Sequence, residues 1–167
     1  MKALVIDCAV TRLIVAAKND DDMCAAVYDI GMKQSETIVN AVDYVLEKAG
    51  ITAKELDYTC VTGGPGSFTG LRLGFSVLKA LTLANGTPLY AISSLKIHAW
   101  PYMDSELPLL CGISAYFMLE YNSRRELNTA RFWKANFRTN FVKNLEIRQY
   151  SFGFFLVIAK IFALQNC

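Results

Sequence analysis

Few residues in this chain could do chemistry, and most lie in one stretch: Gly63-Gly64-Pro65-Gly66-Ser67-Phe68-Thr69-Gly70, followed at once by Leu71-Arg72-Leu73-Gly74. Three glycines and a proline within four residues impose a backbone path that other residues follow only at a cost, because glycine accepts positive φ and proline pins it. The stretch leads from an apparent strand at 58–62 into a long apolar helix that begins near Thr69. Ser67 or Thr69 can accept a hydrogen bond from the free N–H groups of that helix start. A Gly-rich turn entering a helix N-terminus also suits an anion. Anion site and tight connection are both open on this spacing. A P-loop is excluded, since no lysine follows Gly70. A hydrolase elbow is excluded too, since Pro65 and Thr69 stand where Ser67 would need glycines. With His98 the single histidine, a Ser-His-Asp or Cys-His centre would rest on one residue.

The neighbouring pattern shows what must position these residues. Residues 2–8 and 11–18 are short β-rich runs joined by a turn at Ala9-Val10, Asp20-Asp21-Asp22 makes a second turn, and Met23 to Ile30 reads as a third strand. A helix is expected from Glu36 to about Ala49, with Ser35 as its N-cap and Gly50 as its stop. Its apolar face is Ile38, Val39, Val42, Val45, Leu46 and Ala49. Thr52-x-x-Glu55 is a capping box. The helix after the Gly-rich loop is apolar nearly all round, with Arg72, Ser76 and Lys79 in one narrow stripe, so it needs cover from a second lobe or from another chain. The order β-β-β-α-β-α is that of the ribonuclease-H-like lobe of actin, Hsp70 and sugar kinases. In such lobes the first hairpin offers a carboxylate near a nucleotide's metal, here Asp7; its alternative role is to cap its own turn.

The run Gly64 to Gly74 resembles the signature of the bacterial TsaB (YeaZ) family, part of the machinery that makes threonylcarbamoyladenosine (t6A) in tRNA. Ala3-Leu4-Val5-Ile6-Asp7-Cys8-Ala9 is similar to that family's opening strand, and Ser35-Glu36 and Pro88 through Ser94 fall where it has counterparts. The resemblance covers about residues 1–113 and implies an α/β fold with an actin/Hsp70-like first lobe over 1–100. It implies a non-catalytic subunit that pairs with a catalytic TsaD-like paralogue through the helices at 36–49 and 69–84, with Ile38, Val42, Val45, Leu71, Phe75 and Leu78 at the interface. A TsaE-like ATPase and tRNA would join through the complex, and a homodimer would form when the chain is alone. The catalytic paralogue holds its metal with a histidine pair; the matching region here is Met32-Lys33-Gln34-Ser35-Glu36, which lacks one. No tightly bound cofactor is therefore expected. The alternative is an ATP-binding phosphotransferase or ATPase of the same fold, holding ATP or ADP with Mg through Asp7, Gly64, Gly66, Ser67 and Thr69.

Composition bears on the rest. The chain has 167 residues, 53% apolar, with a net charge of +2, which carries no argument for nucleic acid. Residues 1–100 hold 9 Lys and Arg against 10 Asp and Glu, and residues 101–167 hold 8 against 5. Five cysteines without a C-x-x-C pair read as free thiols in a reducing compartment. No leader or membrane span is expected, since the longest apolar run, Phe152 to Leu164, is 13 residues and a span needs about 20. The chain reads as cytoplasmic. Residues 101–167 read as an incomplete or aberrant second lobe, out of frame beyond 113, or as a divergent helical lobe whose Arg131, Phe132, Trp133, Lys134, Phe137, Arg138 and Phe141 could contact RNA.

Overall fold

A computed structural model describes residues 1–101 and, as backbone only, 32, 102, 109–113, 117–121 and 127–128. The apolar run Ala3–Ile6 lies in β1 (Lys2–Asp7), and a run without alternation belongs in a strand covered on both faces. β1 is accordingly the centre of a five-stranded sheet of order β3-β2-β1-β4-β5, with β2 (Leu13–Asn19), β3 (Asp22–Tyr28), β4 (Tyr58–Gly64) and β5 (Leu89–Ser93). β2 runs antiparallel to β1, pairing Val5 with Ala16, and β3 antiparallel to β2. β4 and β5 are parallel additions, as their helical crossovers require, with Ile6 beside Val61 and Cys60 beside Tyr90.

The crossovers are α1 (Gln34–Lys48) and α2 (Phe68–Asn85). Ile38, Ala41, Val42, Val45 and Leu46 of α1, and Leu78 of α2, form one core with Leu4, Ile6, Leu13, Val15, Ala17 and Val61. The helices therefore lie side by side on one face of the sheet. α1 differs from expectation at both its face and its start. Val39 is 57% exposed and Ala41 is buried instead, because the helix turns toward β2 and β3. The cap is Lys33 and not Ser35: a 3-10 turn at Gly31–Lys33 feeds straight into the helix, without a side-chain cap. At its other end, Gly50 at φ 67° donates to Glu47 O and Ile51 to Leu46 O, the two bonds of a Schellman motif. The Thr52 capping box forms, and Glu55 also accepts from Lys2 Nζ at 2.6 Å. These hydrogen bonds, that to Lys2 foremost, hold its carboxyl down at about 2.

The chain divides into two compact units, residues 1–94 and 95–167. A short helix, α3 (Ser94–Ala99), and a 3-10 turn at Trp100–Tyr102 follow β5, with His98 exposed on α3. In the second unit β6 (Leu109–Ile113), β7 (Phe117–Tyr121) and β8 (Leu127–Asn128) make an antiparallel sheet in that order. Apart from that backbone, the expectations for the tail beyond residue 113, aberrant or RNA-binding, fall outside the described residues. Among the described residues no helix is long and apolar enough to cross a membrane.

Two core thiols give a prediction. Burial pushes Cys8 up to about 12, with the Asp7 charge adding to it, and pushes Cys60 up to about 11. The thiolate is the nucleophile, so both should resist alkylation at neutral pH in the native chain and react once it is unfolded in urea. Peptide mapping that found either labelled as fast before unfolding as after would contradict this placement.

Candidate functional site

The Gly-rich loop is built against the turn that follows β1. Asp7 ends β1 and is buried, and its Oδ1 accepts from Ala9 N at 2.8 Å. From the other side Ser67 N donates to Ala9 O at 2.6 Å, and Gln34 Nε2 of α1 donates to Val10 O at 3.1 Å. The turn at 8–10 is thus held by three separate elements. β4 ends in Gly64 at φ 98°, joined to Pro65 by a cis peptide. A Cβ on Gly66 would overlap the Ala9 carbonyl oxygen, and one on Gly70 would overlap that of Cys8. Ser67 caps α2, with Gly70 N donating to its Oγ at 3.2 Å and Leu71 N to its carbonyl at 2.8 Å. Gly66 and Gly70 are therefore the imprint of a neighbouring backbone.

Of the residues expected to hold a nucleotide, Asp7, Gly66 and Ser67 meet around that turn; Gly64 ends β4, and Thr69 is exposed on the first turn of α2. The amides of Ala9, Ser67, Gly70 and Leu71, which could have turned toward a phosphate, are given to acceptors of this chain. Asp7 receives Ala9, so the cap that the sequence left open is present. Gln34, in the stretch that lacks a histidine pair, is 6% exposed and serves as a tie between α1 and the turn. Its role rests on a contact with Val10 and has no local signal.

The outer surface of the helix pair is different in kind. α2 buries only Gly70, Gly74 and Leu78, one residue per turn, where the helices and strands come closest. A Cβ on Gly74 would stand 3.2 Å from Val61 Cγ2. Of the two covers expected for this helix, a second lobe or another chain, the described residues of this chain supply none over its outer face. Phe68 is 73% exposed and Leu83 86%. Phe68, Leu71, Arg72, Phe75, Ser76 and Lys79 line a groove of about 370 Å³ along the helix. The Arg72 guanidinium stacks 5.2 Å from the centre of the Phe68 ring, and Ser76 Oγ donates to Arg72 O at 2.7 Å. On α1, Val39 and Tyr44 are exposed beside Glu36, Asp43 and Glu47.

The residues expected at a partner interface divide accordingly. Leu71 and Phe75 lie in the groove. Ile38, Val42, Val45 and Leu78 are 5% exposed or less and face this chain's own sheet, so no partner can reach them in the folded unit. The apolar residues that do face outward (Phe68, Leu83, Val39 and Tyr44) were not assigned to the interface from the sequence. Periodicity finds the apolar stripe of a helix but does not say which side of a nearly apolar helix meets the sheet.

The family model "TsaD: tRNA N6-adenosine threonylcarbamoyltransferase" matches residues 31–122, more than half of the chain and past the expected limit at 113. A tRNA N6-adenosine threonylcarbamoyltransferase of Tropheryma whipplei (strain Twist) is 42% identical over 64 residues, 38% of this chain and 16% of that protein. The tRNA threonylcarbamoyladenosine biosynthesis protein TsaB of Buchnera aphidicola subsp. Schizaphis graminum is 30% identical over 96 residues, 58% of this chain and 46% of that one. The chain thus spans about half the length of these relatives or less. YeaZ from Pseudomonas aeruginosa superposes with a TM-score of 0.65 at 20% identity, over 78% of this chain and 66% of that one. That likeness establishes the α/β fold with an actin-like, ribonuclease-H-like first lobe.

Proposed function

The chain belongs to the TsaD family, that of tRNA N6-adenosine threonylcarbamoyltransferase, and resembles TsaB in part; from this premise we propose that it takes part in threonylcarbamoyladenosine modification of tRNA as a partner subunit. Its task in this reading is to hold a catalytic TsaD-type paralogue through the outer face of α1 and α2, with a TsaE-like ATPase and tRNA joining the complex. The observation that carries the reading is the exposure of Phe68 and Leu83 on a helix otherwise anchored by a single narrow stripe. Large apolar side chains grouped on one face mark a surface that another molecule covers. The β1 turn and the Gly-rich loop act here as a brace, setting the height of α2 above the sheet and hence the shape of that face.

Mixed with its TsaD-type paralogue, the full chain should elute as a 1:1 complex in size-exclusion chromatography with light scattering. Two separate peaks at micromolar concentrations of both would end the proposal.

A further inference from the structure

We infer that the groove on α2 receives an acidic amphipathic helix of the partner, with two carboxylates about seven residues apart bracketing its apolar side chains. This inference rests on the partner reading and adds the chemistry of the occupant. The groove's apolar floor is Phe68, Leu71 and Phe75, and its polar members are Arg72, Ser76 and Lys79. It follows one helix from Phe68 to Lys79, about 16 Å at 1.5 Å per residue, a shape that suits a second helix lying along it.

The charge pattern selects the occupant. α2 contains no acidic residue, so neither Arg72 nor Lys79 is neutralised along it. Among the described residues the ion pairs are Met1–Asp20, Lys2–Glu55 and Arg12–Asp29, and none involves these two cations. Arg72 is held in place by the Phe68 ring, so it loses little freedom on meeting a carboxylate. Seven residues separate the two cations, about 10 Å along the axis, and the same spacing on a facing helix brings one carboxylate to each. RNA fits less well. Two cations release few counterions, whereas two carboxylates need no more than two.

The test compares the affinity of full-length chain for the TsaD-type paralogue at low and high salt. Arg72→Glu/Lys79→Glu should lower affinity roughly 30-fold or more at low salt, and the deficit should shrink as salt screens it. Phe68→Ala should weaken binding alike at both. Both cations are exposed, so a thermal melt checks that the variant is folded. If Phe68→Ala weakens binding while the reversal leaves affinity unchanged, the interface stands and the acidic helix is wrong. If neither has any effect, the partner reading falls with it. If the reversal instead lowers only the chain's retention of tRNA, the stripe is an RNA contact and the inference is overturned.

Discussion

Replacing Gly70 by alanine should leave little folded protein. The new Cβ would overlap the carbonyl oxygen of Cys8, which is backbone and cannot rotate away, and it would also lie 3.3 Å from Gln34 Oε1. α2 cannot retreat from the sheet to make room. One turn on, Gly74 sits where a Cβ would be 3.2 Å from Val61, and one turn further Leu78 is fully buried in the core. Lifting the first turn would also break the Ser67 bond to Ala9 O. Against this, alanine in a helix gains about 0.5–1 kcal/mol over glycine. Overpacking a core site costs about 1–3 kcal/mol and more where the obstacle is backbone that cannot move, so the loss exceeds the gain and takes a large share of a stability of about 5–15 kcal/mol. Gly86→Ala is the control. Gly86 has φ 69° at the end of α2 with nothing within 4 Å, so it should lose only the left-handed penalty of about 1–2 kcal/mol. Urea midpoints would rank the two, and equal stabilities would show that α2 does not rest on the Cys8 carbonyl.

Leu78→Asp and Val42→Asp should both abolish partner binding, but by unfolding the chain. Leu78 is 0% exposed and Val42 5%. A carboxylate placed there without a partner costs several kcal/mol, enough to consume most of a marginal stability. Phe68→Asp and Leu83→Asp should behave in the opposite way. Both positions are largely in water, where a substitution shifts stability by about 0.5 kcal/mol or less. In the complex the same carboxylate would be trapped beneath the partner. The association would then forfeit about 1.5–3 kcal/mol of apolar burial and pay desolvation besides, against about 8 kcal/mol for a micromolar complex. Circular dichroism separates the pairs: Leu78→Asp and Val42→Asp lose the native spectrum, and Phe68→Asp and Leu83→Asp keep it and elute apart from the paralogue. A native melting temperature for Leu78→Asp, or wild-type pairing by Phe68→Asp, would refute the assignment of inner and outer faces.

What the chain sequence determined by itself is local. The runs that form strands and helices, the Thr52 capping box and the Gly50 stop depend on residues close together in the chain, so spacing alone reveals them; it narrows the cap of the second helix to Ser67 or Thr69. The resemblance carried by Gly64 to Gly74 likewise lies in one continuous run. Tertiary structure decided the remainder. Gly66 and Gly70 admit a neighbour, and the neighbour is the backbone of Cys8 and Ala9. Val39 and Ala41 are both apolar, yet one faces water and the other the sheet. Gln34 serves a turn 24 residues before it. Each of these choices is settled by a backbone that arrives from elsewhere in the chain. Short-range patterns carry no information about that arrival, because close packing between distant segments exists only once the sheet has formed.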